Sequence, residues 1–249
     1  MRILLLSLLL IGMGTRPAVA QALTPVSQDR RVLANSFDFN SPIPGNDSQE
    51  AIAPDFAIFD RTLTSQYFQG HGSASQHSEI LTTLLHGSGD ATGGGSSFDN
   101  GGGGTSRFDL TFALNEPTGF TLSGELVAQS LFSFATATAY VTLDGAIVES
   151  VANLETSPFA VGGTLAAGVH RLQLESVAAS PPGPGSVRAS YDFELALVPE
   201  PGMAFIWLAA GLFAGRRFME RQRYQDEGRG TLAEPTGTTA RFARSGVSR

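Results

Sequence analysis

Three histidines, His71, His77 and His86, stand close together with Glu79 and Asp90 among them, the residue types of a zinc site. Their spacing matches no known ligand set. On one extended strand His77 and His86 face opposite sides, so they read as ordinary surface histidines. Asp90, Asp99 and Asn100 lie among glycines, where oxygen ligands on pliant backbone would suit calcium. Neither the EF-hand pattern nor a GGxGxDx repeat accompanies them, and they read as solvated loop acids. A fourth histidine, His170, shares the parity of Leu172 and Leu174. No G-x-S-x-G or H-E-x-x-H occurs, so a serine triad would have to be assembled across the fold.

Composition closes other routes. The chain of 249 residues has 16 Arg, no Lys and no Cys. That removes the phosphate-loop lysine, the Schiff base, the thiolate nucleophile, the cysteine zinc site and the disulfide. No cofactor is expected. The formal charge of −7 is unevenly spread: residues 1–20 sum to +2, residues 21–215 to −13 and residues 216–249 to +4. An acidic middle argues against a nucleic-acid partner, which needs clustered cations on the folded domain. Sugar platforms rely on exposed Trp or Tyr. The middle has no Trp and only Tyr67, Tyr140 and Tyr191, while its Phe residues fall on alternating positions that read as core.

The elements that would carry any site read as strands. Phe108, Leu110, Phe112 and Leu114 alternate with polar or small residues, the period of a half-buried strand. Phe120, Leu122, Gly124 and Leu126 repeat the pattern after Asn115-Glu116-Pro117-Thr118-Gly119, which predicts a hairpin between the two. Asp144-Gly145 marks a second hairpin, and Val187 to Leu197 alternates again. Phe37 to Phe39, Asp55 to Asp60 and Ser78 to Leu85 are weaker strand candidates. Residues 87–106, with Gly93-Gly94-Gly95 and Gly101 to Gly104, are expected to form a flexible loop. The fold class predicted for residues 21–197 is all-β, an antiparallel β-sandwich of jelly-roll form.

Both ends are membrane-directed. Arg2, an apolar run from Ile3 to Met13, and Ala18-Val19-Ala20 have the order of a secretory signal peptide. Cleavage by signal peptidase is expected after Ala20, on the Ala18-x-Ala20 signal, with Ala22 as the alternative. At the other end Val198-Pro199-Glu200-Pro201 precedes thirteen uncharged residues, Met203 to Gly215, and then Arg216-Arg217. The prolines hold the chain extended, the apolar run suits a short membrane helix, and the Arg pair sets its orientation. As a helix that run rises about 20 Å, and snorkelling by the Arg pair helps it reach across the bilayer.

This order of signal peptide, exported domain, V-P-E-P, apolar helix and Arg cluster resembles the PEP-CTERM proteins of Gram-negative bacteria. The resemblance covers about residues 198–218. It implies that Val198, Pro199, Glu200 and Pro201 are the motif read by an exosortase, an integral-membrane cysteine transpeptidase, and that Arg216 and Arg217 are the membrane stop signal. It also implies a link to extracellular polysaccharide. The chain departs from the family pattern by continuing through residues 219–249, a basic tail whose composition reads as disordered and cytoplasmic.

The expectation is a non-enzymatic protein exported across the inner membrane. It is anchored there until processed, then placed at the cell surface or in the extracellular matrix. Two alternatives stay open: a carbohydrate- or calcium-binding sandwich, and a secreted hydrolase with an unrecognised active site.

Overall fold

The alternating apolar stretches form strands because period-two burial satisfies one face while the ladder satisfies the backbone. The computed structural model describes residues 22–131 and 134–198. Among these are thirteen strands and no helix: β1 (Thr24–Gln28), β2 (Arg31–Asp38), β3 (Gly45–Ile52), β4 (Phe59–Tyr67), β5 (Gly70–Ile80), β6 (Leu84–Gly95), β7 (Asn100–Leu114), β8 (Thr118–Ser130), β9 (Thr136–Leu143), β10 (Ala146–Ala152), β11 (Glu155–Leu165), β12 (Gly168–Ser180) and β13 (Gly185–Val198). They build two antiparallel sheets, ordered β10-β9-β12-β7-β2-β3, with β1 also on β7, and β11-β8-β13-β6-β5-β4. The protein is an antiparallel β-sandwich.

The main core lies between β7, β12 and β9 on one side and β8 and β13 on the other. Phe108, Leu110, Phe112, Leu122, Leu126, Leu172, Leu174 and Leu195 are fully buried. Phe108 and Phe193 meet across the sheets with ring centroids 4.8 Å apart. Each such side chain stabilises the fold by roughly 1.5–3 kcal/mol. The Asp144-Gly145 hairpin forms as expected: Leu143 pairs with Ala146, and both turn residues have positive φ, 53° and 79°, the primed turn whose twist matches its strands.

Three expectations are corrected. The stretch 108–126 is not a hairpin. β7 pairs with β12, β2 and β1, while β8 lies in the opposite sheet against β11 and β13. Turn residues signal that a chain reverses, and the reversal here crosses the sandwich instead of staying in one sheet. The weaker candidates shift by a few residues: β2 ends at Asp38, β4 begins at Phe59, and residues 78–85 straddle the turn between β5 and β6.

The third correction concerns residues 87–106. They are strand except for the turn 96–99, and Gly93, Gly102 and Gly104 stand where the two sheets meet backbone to backbone. A Cβ added to Gly72 would lie 2.2 Å from the carbonyl oxygens of Asn35 and Gly103. One on Gly104 would lie 2.0 Å from that of Ser73, and one on Gly93 2.3 Å from that of Gly102. Sandwich sheets ordinarily stand about 10 Å apart with side chains between them. Here no side chain fits, and glycine is the residue that permits the contact.

The sandwich has two distinct poles. Leu23 donates its N–H to the Thr82 carbonyl at 2.6 Å and Leu197 donates to that of Thr83 at 2.9 Å, so the chain enters and leaves beside the same β5–β6 turn. At the other pole lie the β2–β3, β4–β5, β6–β7, β8–β9, β10–β11 and β12–β13 connections, as the pairings Asp38–Asn100, Tyr67–Gly70, Gly95–Gly185, Ser130–Val187 and Ser180–Gly102 require.

Candidate functional site

Each of the six connections at the loop pole carries a large apolar group. Phe39 and Ile43 come from β2–β3, Phe68 from β4–β5, Phe98 from β6–β7, Leu131 and Phe134 from β8–β9, Leu154 from β10–β11, and Pro181, Pro182 and Pro184 from β12–β13. Phe98 and Phe134 are 79% and 83% exposed. Phe68 and Leu154 hold left-handed backbone, with φ of 51° and 63°, a conformation unfavourable for bulky residues that costs of order 1–3 kcal/mol. Backbone strain beside exposed apolar side chains makes this pole the candidate functional end.

Phe98, Phe134, Ala135, Ser180, Pro181, Pro182, Gly183 and Pro184 enclose a cleft of about 450 Å³. Its position is fixed by Asn100, whose side chain is buried. The Asn100 Oδ1 accepts the N–H groups of Ser96 and Ser97 at 2.7 and 3.2 Å, and its Nδ2 donates to Ser97 Oγ at 2.6 Å. Its carbonyl accepts from the Gly183 N–H at 3.2 Å, and its Nδ2 also donates to Gln69 Oε1 at 3.4 Å. One residue therefore ties together three of the six connections and holds Phe98 over the prolines.

A second concavity, about 580 Å³, lies on the outer face of the second sheet. His71, Thr92, Gln129, Thr156, Ser186 and Arg188 line it, with Leu131 and Leu154 also contributing. Arg188 also borders a smaller depression of about 260 Å³ containing Asp90, Glu125 and Asp192, and donates from Nε to Asp90 Oδ2 at 2.6 Å.

The residues singled out in the sequence are distributed otherwise than expected. His77 and His86 do not face opposite sides. They stand on neighbouring antiparallel strands, where register brings their rings to 6.2 Å on one outer face. His86 Nε2 meets Glu79 Oε2 at 2.9 Å and His77 Nδ1 lies 3.8 Å from Asp60, while His71 stands apart in the polar groove. Among the described residues no three His, Asp or Glu side chains are placed to hold a metal ion. Asp90 is ion-paired with Arg188, Asp99 accepts from Asn40 Nδ2 at 2.9 Å, and Asn100 is the clamp just described.

His170 is buried, with Nδ1 at 2.8 Å from Asp144 Oδ2 and Nε2 at 2.8 Å from the Ala166 carbonyl. Burial alone would lower its pKa. The carboxylate and the carbonyl outweigh burial and hold it above the usual range. Asp144 also accepts the Arg171 N–H at 2.8 Å, so the group latches the β9–β10 turn to the start of β12.

Of the sorting motif, Val198 ends β13, paired with Gly119 and half-exposed. Pro199, Glu200, Pro201, Arg216, Arg217, Ala18 and Ala20 lie outside the described residues.

The reading of the Phe residues as core holds for some and is corrected for others. Phe59, Phe108, Phe112, Phe159 and Phe193 are core, but Phe39, Phe56, Phe68, Phe98 and Phe134 are exposed. The signal was available in their neighbours: Ser97-Phe98-Asp99-Asn100, Phe39-Asn40-Ser41-Pro42 and Phe68-Gln69-Gly70 set Phe among turn formers instead of in alternation.

No family model matches the chain. No curated relative matches it either. Among solved structures, the VP2 subviral particle of infectious bursal disease virus aligns over 89% of this chain and 94% of that one. The identity is 12% and the TM-score 0.13, values too low to support an argument from likeness.

Proposed function

We propose that the chain is a non-enzymatic, exported surface or matrix protein. Its sandwich crosses the inner membrane behind a signal peptide, and a PEP-CTERM module at residues 198–218 delivers it to an exosortase-type transpeptidase. The observation that carries this reading is that Leu23 and Leu197, next to the first and last described residues of the sandwich, converge on Thr82 and Thr83. The two membrane-directed segments issue from one pole, and the six connections with their exposed apolar groups occupy the other. β13 ends at Val198, the first residue of the motif, and within the sandwich the loop connections lie at the pole opposite that residue. The jelly-roll form is supported by β6/β7, β8/β9, β10/β11 and β12/β13, each pair stepping from one sheet to the other.

Intact-mass measurement tests the sorting. A host with an exosortase yields a chain ending in or near 198–201, and a host without one retains the C-terminal segment in the inner membrane. A C-terminus still at Arg249 in the exosortase host refutes sorting. A second reading, attachment to extracellular polysaccharide, is favoured by the outer groove. There the Arg188, Gln129, Thr92 and Thr156 side chains offer polar groups at strand spacing beside Leu131 and Leu154, the mixture a sugar's hydroxyl and C–H faces require. Calorimetry with the purified host polysaccharide decides it, and absence of heat removes the groove from the function.

A further inference from the structure

We propose that the loop pole docks on a zwitterionic lipid bilayer and that the cleft between Phe98 and Phe134 receives a hydrocarbon chain from it. The first argument is hydrogen-bonding capacity. Pro181, Pro182 and Pro184 have no N–H. The Gly183 N–H is spent on Asn100 and the Ser180 hydroxyl donates to the Pro181 carbonyl at 3.3 Å. With its N–H and hydroxyl donors absent or already used, this wall leaves the acceptor groups of a sugar or a peptide backbone without partners there, whereas a hydrocarbon chain has none to satisfy.

The second argument is charge. Among the described residues of the six connections Asp99 is the only charged side chain, and the cation that borders Leu131 and Leu154, Arg188, is neutralised by its ion pair with Asp90. Anionic headgroups are therefore repelled, and a surface without net charge is the complementary one. The third is layout. The apolar groups are dispersed one or two per connection, and at Phe68 and Leu154 strained backbone holds them outward. Separate projections suit a fluid that closes around each of them, as aromatic side chains do at a membrane interface. A protein partner would need a continuous face instead.

The proposal does not depend on how the chain is sorted. It is tested on the full chain, which has no Cys, by placing single cysteines with an environment-sensitive fluorophore at Pro42→Cys on the loop pole or Thr82→Cys on the opposite pole. The labelled protein is incorporated into phosphatidylcholine vesicles and mixed with a second population carrying nitroxide-labelled acyl chains. Failure to incorporate, seen by flotation, counts against the anchor reading alone, and the labelled protein is then added directly to the nitroxide-labelled vesicles. The expected result is quenching at position 42 and not at 82, weakened by anionic lipid in the second vesicles. The double variant Phe98→Ser/Phe134→Ser should lower the apparent vesicle affinity about a hundred-fold.

No quenching at 42, equal quenching at both positions, or quenching only with anionic lipid overturns the proposal. So does a signal at 42 from monomeric fatty acid without quenching by vesicles, which would mark a soluble carrier, or self-association detected by sedimentation that depends on Phe98. If the double variant fails to fold, the contrast between positions 42 and 82 in the otherwise unaltered chain still decides.

Discussion

Arg30 is an arginine without solvent exposure whose guanidinium is held by neutral groups. It donates to the carbonyls of Asp55 and Ala57 at 2.6 and 2.7 Å and to Ser78 Oγ at 3.1 Å, with Phe59 beneath it at 5.8 Å. Burial lowers its pKa to about 10, far enough above neutrality for the charge to persist. Its task is to fasten the turn between β3 and β4. The sequence Asp29-Arg30-Arg31 suggests a solvated charge run, and only the fold distinguishes Arg30 from its paired neighbour Arg31. His170 was better signalled, because its parity with Leu172 already placed it inward. Its pH behaviour follows from its partners. Since its folded pKa is raised, the Asp144 latch contributes stability that is fully present below the unfolded value of about 6.5 and is lost as pH rises through the folded value. Urea midpoints measured from pH 5.5 to 8.5 should therefore fall across that window in the wild type, and the slope should flatten in His170→Gln. An unchanged slope in the variant would assign the pH dependence elsewhere.

At the scale of elements, periodicity was legible and partnership was not. The alternation in β7 and β13 identifies both strands and their buried faces, because burial every second residue is a property of the strand itself. Which sheet receives the next strand depends on the whole core, and the turn between β7 and β8 carries no mark of it. The glycine runs misled for a related reason: composition that permits flexibility also permits the closest packing, and the opposing sheet decides which is realised. Two alanine substitutions separate these roles. Gly104→Ala drives a Cβ to 2.0 Å from the Ser73 carbonyl and should destabilise by about 3 kcal/mol or prevent folding. Gly163→Ala meets only the Phe120 ring at 3.5 Å, and by stiffening the unfolded chain should gain about 0.4–1 kcal/mol. Chemical denaturation followed by far-ultraviolet circular dichroism compares them, and equal effects would mean that the seam is looser than described.

For the molecule as a whole, the balance of charge and the placement of the ends act together. Residues 21–215 sum to −13, and four of their Arg are committed to ion pairs: Arg31 to Asp29, Arg107 and Arg171 to the buried Asp109, and Arg188 to Asp90. The exterior field of this part of the chain is thus set by acids. Where removal is tolerated follows from β13, an interior strand of its sheet flanked by β8 and β6. Leu195 and Leu197 are 0% and 5% exposed, so a cut before them withdraws two core side chains and a stretch of two ladders. Truncation after Phe193 should cost at least about 4 kcal/mol, at roughly 2 or more per leucine, and unfold a domain of ordinary stability. Truncation after Val198 leaves all thirteen described strands whole and should leave the denaturation midpoint unchanged. Any processing compatible with a folded product must therefore fall beyond Val198. A mature chain that ended within β13 and remained folded would show that the sandwich tolerates loss of its central strand's end, and would separate the Val198-Pro199-Glu200-Pro201 motif from the site of cleavage.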